Sequence, residues 1–168
     1  MKKIFHLPFN IFQNGFTLIE LMVTISITAV LGTLGIAGFV NYNKVQVLQT
    51  STSEVVTMLN LAKSRAQSQI KPSGLCVGND LSGYSVKISK DANNKWWYKL
   101  YLNCSDERES LIDEQNKQLP ASLSFDANNT FFFPVQTGGV DTSGIIVISS
   151  GGSSRTITIN SLGGVSVQ

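Results

Sequence analysis

From Phe16 to Val40 the chain is apolar with no visible period, and it holds one ionisable group, Glu20, and no proline. A helix of that length rises roughly 37 Å, enough to cross a ~30 Å hydrocarbon layer with some tilt. From Asn41 the pattern turns amphipathic without a break. Val45, Leu48, Val55, Leu59, Ala62, Ala66 and Ile70 follow a three-or-four spacing, Thr52 fills the one gap, and Lys44, Gln49, Lys63 and Gln67 lie off that line. Together the stretches predict one helix from about Phe16 to Ile70, stopped by Pro72 and Gly74. Such a helix would be roughly 82 Å long. Its first half suits lipid; its second has one apolar stripe against which a soluble domain can pack.

Residues 71–168 change period and read as β throughout. Tyr84/Val86/Ile88 alternate with polar positions, as do Ile157/Ile159 with Thr156/Thr158. Strands are expected at Gly74–Val77, Tyr84–Ser89, Lys95–Asn103, Ser122–Phe125, Thr130–Val135, Gly144–Ser149, Arg155–Asn160 and Gly164–Val167. Asp-Ala-Asn-Asn occurs at 91–94 and again at 126–129, each time before an aromatic cluster, and both copies read as hairpin turns. Lys95 and Thr130 spoil the oxygen-ligand pattern of a calcium loop. Asp106, Glu107, Glu109, Asp113 and Glu114 read as a solvated acidic loop. In Trp96-Trp97-Tyr98, alternation sends some rings inward, so core packing is favoured over a sugar or adhesion platform. The fold class is α+β.

Glu20 is the first residue that needs a function. A carboxylate near the end of a membrane segment costs up to about 2.5–3.5 kcal/mol if it reaches mid-bilayer. With no cation beside it in sequence, it calls for a partner in another chain or at its own N-terminus. Gly15-Phe16-Thr17-Leu18-Ile19-Glu20, behind a short leader with Lys2 and Lys3 and ahead of a membrane-length helix, resembles the N-terminus of type IV pilins and type II secretion pseudopilins. In that family a prepilin peptidase cuts after the glycine and methylates the new amine. The resemblance therefore implies a cut after Gly15 and N-methylation of Phe16. It also implies that Glu20 neutralises the N-terminal ammonium of a neighbouring subunit. Cations ahead of the helix keep that end cytoplasmic, and unlike an ordinary secretory peptide the chain would keep its apolar run. The implied domains are a removed leader (1–15, including His6), a transmembrane helix (16–40), an amphipathic extension (41–70) and a β-rich head (71–168).

The C-terminal third narrows the resemblance. Phe133-Pro134 with Gly138, then Gly144-Ile145-Ile146-Val147, Arg155-Thr156-Ile157-Thr158-Ile159 and Gly163-Gly164-Val165-Ser166-Val167, look like the GspH/FimT branch of minor pseudopilins and pilins. That branch packs a long helix on a head of two antiparallel sheets. Some of its members bind DNA through basic residues near a C-terminal Gly-Arg-Val pattern. Here that position is Gly164, no Lys or Arg follows Arg155, and the last 63 residues are net acidic. Nucleic acid is thereby weakened as a partner, although Lys87, Lys90, Lys95 and Lys99 leave a basic patch to consider. In an exported head the two cysteines, Cys76 and Cys104, are expected to pair.

Charge adds little. Without Lys2 and Lys3 the cations number 11 against 11 acids. Residues 41–105 are net basic and 106–168 net acidic, read as two solvated faces rather than a device for orienting subunits. Gly32, Gly35 and Gly38 each cost roughly 1 kcal/mol of helix propensity. Close helix packing or local melting would each use them; many pilins carry a proline at the position of Ala37, so a hinge here would fall to these glycines. No mature histidine, phosphate loop or metal-ligand cluster is present, so neither an enzyme, a metal nor a cofactor is expected. The expected function is a pilin-like structural subunit, at the inner membrane or in a surface filament, with prepilin peptidase and other pilins as partners. The alternative is a filament-tip binding module for DNA or another surface ligand.

Overall fold

The structure, a computed structural model, describes residues 15–168; the expectations for Lys2, Lys3 and His6 lie outside the described residues. The chain divides after Val40 into two units. Helix α1 (Leu18–Gln67) contributes to both, and it runs unbroken through Gly32, Gly35 and Gly38. In the first unit, Leu18–Val40, the large apolar side chains described are exposed.

The helix stops earlier than Pro72, and by other means. The Ile70 amide donates to the Arg65 carbonyl at 3.1 Å and the Gln69 amide to Ala66 at 3.2 Å, with Gln69 at φ 51°. That is a Schellman closure, with glutamine in the left-handed position that glycine fills at less cost.

In the second unit, α1 buries Leu48, Thr52, Val55, Leu59, Ala62 and Ala66, the stripe that the spacing predicts. Its two outermost members differ: Val45 is 39 % and Ile70 50 % exposed, because the stripe outruns the sheets at both ends. Thr52 enters the core because its hydroxyl donates to the Leu48 carbonyl at 2.7 Å, leaving no open polar group.

Against this stripe lie two four-stranded antiparallel sheets. β1 (Leu81–Lys90), β2 (Trp96–Cys104), β3 (Glu109–Gln118) and β5 (Asn129–Pro134) form the first, in the order β3-β2-β1-β5. β4 (Ser124–Phe125), β6 (Gly144–Ser150), β7 (Ser153–Ile159) and β8 (Val165–Val167) form the second, in the order β4-β6-β7-β8. Tyr84, Val86, Ile88, Tyr98, Leu100, Leu102, Phe131 and Phe133 point inward from the first sheet. Ile146, Ile148, Ile157 and Ile159 do so from the second, and all join the helix stripe in one core. Each such side chain stabilises by about 1.5–3 kcal/mol.

Three expectations need correction. Gly74–Val77 is not a strand: Gly74, Cys76 and Gly78 all have positive φ (86°, 50° and 79°), which winds the segment into turns. The acidic 109–114 stretch is not a loop but part of β3. It pairs along the edge of β2, with three extra residues between Leu111 and Asn116 opposite the step from Tyr101 to Lys99. Only Ile112 of β3 is buried, so the strand rests on backbone pairing and shows almost no apolar alternation. The second Asp-Ala-Asn-Asn is not a hairpin, since residues 126–129 carry the chain from β4 in one sheet to β5 in the other. The first copy is one. Asp91 Oδ1 accepts from the Asn93 and Lys95 amides at 2.8 Å each, and Asn94 takes φ 62°.

Two glycines from the C-terminal patterns meet beside the helix. Gly163 has φ 69°, and a Cβ there would stand 2.5 Å from the Gly138 carbonyl oxygen. Lys63 on α1 donates to the carbonyls of Leu162 (3.2 Å) and Gly163 (3.0 Å), fastening this turn to the helix.

Candidate functional site

The N-terminal motif begins outside any helix. Gly15, Phe16 and Thr17 precede α1 and are exposed, Phe16 to 81 %. Thr17 then starts the helix: its hydroxyl accepts from the Glu20 amide at 3.3 Å, and its carbonyl accepts from the Leu21 amide at 3.1 Å. This makes Thr17 the N-cap and Glu20 the third helical residue, the positions of a capping box. Reading the motif for its processing chemistry overlooked Thr17, although Thr-x-x-Glu ahead of an apolar run was the available signal. Glu20 lies in the first helical turn, where the exposed amides favour an anion. It is exposed and has no ion-pair partner among the described residues.

Beyond Glu20 the helix is long and apolar enough to cross a membrane. Its hydroxyls are accounted for. Thr24, Ser26, Thr28 and Thr33 donate to the carbonyls of Leu21, Met22, Thr24 and Val30 at 2.6–2.9 Å. In hydrocarbon, where each unmade hydrogen bond is costly, this lets four polar residues sit in an apolar span. Among the described residues, the helix's own backbone apart, nothing stands within 4 Å of where a Cβ on Gly32 or Gly38 would point, so those positions present open backbone. A contiguous apolar surface of this extent needs lipid or partner helices to cover it.

The other expected residues lie in the second unit. Cys76 and Cys104 form a disulfide with a Cα–Cα distance of 5.5 Å, tying the turns after α1 to the end of β2. Trp96 and Tyr98 pack edge-on against Phe125, whereas Trp97 points outward and donates to Asp91 Oδ2 at 3.1 Å. Tyr98 donates to Glu54 of α1 at 2.7 Å; burial first, then that carboxylate, pushes its phenol above the usual range. Asp91 is held below the usual carboxylate range, first by the Lys95 amide. The four lysines do not form one patch. Lys87 and Lys99 face each other on the outer side of the first sheet, and Lys90 and Lys95 flank the β1–β2 turn. No group of three or more candidate metal ligands occurs among the described residues.

Chemically, the N-terminal arrangement offers an exposed Gly15–Phe16 peptide, a carboxylate at a helix start and a helix that must be covered. Comparison with known families gives two matches. Residues 12–36 match the prokaryotic N-terminal methylation motif. Residues 51–163, about two thirds of the chain, match the type II transport protein GspH. Both are families of structural pilin and pseudopilin subunits, and the motif with its single apolar helix fits a single-pass inner-membrane anchor. No solved structure gives a significant match.

Proposed function

The chain belongs to the type II transport protein GspH family, and from that premise we propose that it is a minor subunit assembled after leader cleavage and methylation. It is a pilin-like subunit of type II secretion or type IV pili. In the proposed sequence, prepilin peptidase cuts between Gly15 and Phe16 and methylates the Phe16 amine. The freed ammonium of one subunit and the Glu20 carboxylate of its neighbour then neutralise each other as the apolar helices pack, and the head lies in the periplasm or outside the cell.

The observation that carries this reading is a coincidence in one frame. The methylation-motif match spans the Gly15–Phe16 bond, and directly after it comes a capped helix with an exposed apolar surface and a carboxylate that has no ion-pair partner among the described residues. Two opposite charges in hydrocarbon are tolerable mainly as a pair.

Intact mass and N-terminal sequencing of the protein from membranes containing the peptidase test it. Loss of residues 1–15 with one added methyl group on Phe16 is expected, and an uncut Met1 terminus overturns the reading. Glu20→Gln should leave cleavage intact and reduce co-purification with other pilins. If both survive, the charge pair is not what drives assembly.

A further inference from the structure

The outer face of the first sheet is laid out in stripes across its strands. Along β2 the outward residues are Trp97, Lys99, Tyr101 and Asn103. The register places Lys99 directly opposite Lys87 of β1, and Tyr101 opposite Ser85, whose other neighbour is Phe132 of β5. A lysine row thus lies between two rows that carry aromatic rings, each about 6.7 Å from the next along the strands.

This arrangement is not what folding alone would select. Like charges directly opposite on an antiparallel pair repel, and Glu109 takes up only Lys87, at 2.5 Å. Lys99 has no acidic partner among the described residues and stands over the Trp97 ring at 5.2 Å. Trp97, Tyr101 and Phe132 are half-buried on the solvent side of a sheet whose other face already fills the core. The polar groups between them are held in place. Ser85 Oγ donates to Asn103 Oδ1 (2.8 Å), and Asn103 Nδ2 donates to Glu109 Oε1 (3.1 Å), which fixes three strands' outward groups before any ligand arrives.

We propose that this face binds an acidic polysaccharide, with a uronate-type carboxylate meeting Lys99, which no acid among the described residues neutralises, and a sugar ring lying beside Trp97. Lys99, the member of the lysine row that Glu109 does not neutralise, selects an anion. Its neighbours select sugar over nucleic acid. Two lysines, one already neutralised, are few for a polyphosphate backbone. Thr130, Asn116 and Gln118, opposite Lys87, Lys99 and Trp97, supply the hydroxyl and amide groups that sugar hydroxyls require. Lys99 and Trp97 stand close enough for one sugar residue to touch both. This goes beyond filament membership and does not depend on it.

The test is titration calorimetry of the full chain in detergent micelles with polygalacturonate, set against dextran and a thymidine oligonucleotide. Binding of polygalacturonate alone is expected, weakening as salt rises. Lys99→Gln should reduce affinity about tenfold, equivalent to ~1.4 kcal/mol, while Lys44→Gln on α1 should leave it unchanged. The proposal is overturned by any of four results: no binding, equal binding of dextran, tighter binding of the oligonucleotide, or indifference to Lys99→Gln. None of these bears on leader cleavage, so failure here and failure of the filament reading are told apart.

Discussion

Residues 18–40 and 41–67 are one continuous helix, yet they treat apolar side chains in opposite ways. In the first stretch Leu21, Ile25 and Leu31 are exposed, and the apolar residues surround the axis. In the second, Leu48, Val55, Leu59 and Ala62 lie on one side and are sealed by the sheets. Backbone geometry is shared, so the difference comes from how apolar residues are distributed around it. A helix apolar on all sides cannot be satisfied by one sheet packed on one side, and it needs lipid or several partners. A single stripe is satisfied by the chain's own head.

The sharpest way to break this comparison is to truncate one leucine in each stretch. Leu59→Ala, at a fully buried position, should cost about 2–5 kcal/mol and lower the melting temperature of the head. Leu31→Ala should leave that melting temperature unchanged and weaken only membrane retention or assembly. Equal effects on the head would abolish the distinction.

Replacing both Cys76 and Cys104 by serine asks how far the second unit depends on its covalent tie. The loop-closure argument gives a loss of about 3–4 kcal/mol, read as an earlier denaturation midpoint. A midpoint unmoved by the double substitution would show that the core alone holds the turns after α1.

The helix ends offer a smaller contrast. Thr17→Ala should cost about 1 kcal/mol at the start of the helix, seen as faster amide exchange at residues 19–21 with no change in the head. Gln69→Gly should gain about 0.5–1 kcal/mol at the other end by relieving a left-handed glutamine, and should raise the melting temperature of the head. A rise with Thr17→Ala, or a fall with Gln69→Gly, would contradict the two capping assignments.

The smallest effect is electrostatic and belongs to the head. Asp91 has its pKa lowered by folding, so its contribution is present above the unfolded value and is lost as pH falls through the folded one. The melting-temperature gap between the protein and Asp91→Asn should therefore close as pH drops from neutral through the carboxylate range. A gap that widened on acidification would reverse the sign.

Much of this was legible in advance because it is written in short-range chemistry. The apolar run, the stripe and seven of the eight strands follow from side-chain periodicity, which depends only on which residues follow one another. β3 was illegible for the same reason. An edge strand that buries Ile112 alone leaves no alternation to read, and its partner β2 is what makes it a strand. The two Asp-Ala-Asn-Asn copies make the point with identical residues. At 91–94 both flanking strands find each other, while at 126–129 β4 and β5 pair in different sheets, so one copy turns a hairpin and the other crosses between layers. Likewise Lys87 and Lys99 lie twelve positions apart in the chain and face each other only through the β1–β2 register.

By itself, then, the sequence determined the membrane-length helix, its amphipathic continuation and the α+β class. Each rests on composition or on the 3.6- and 2-residue periods, which local geometry imposes. Only the tertiary structure decided how the strands divide between two sheets, the β3 edge, the Schellman end at Gln69, and which lysines and rings share the outer face. Those depend on register and on which strand lies beside which. Register is settled by burying one common core, and no local window of the chain contains that information.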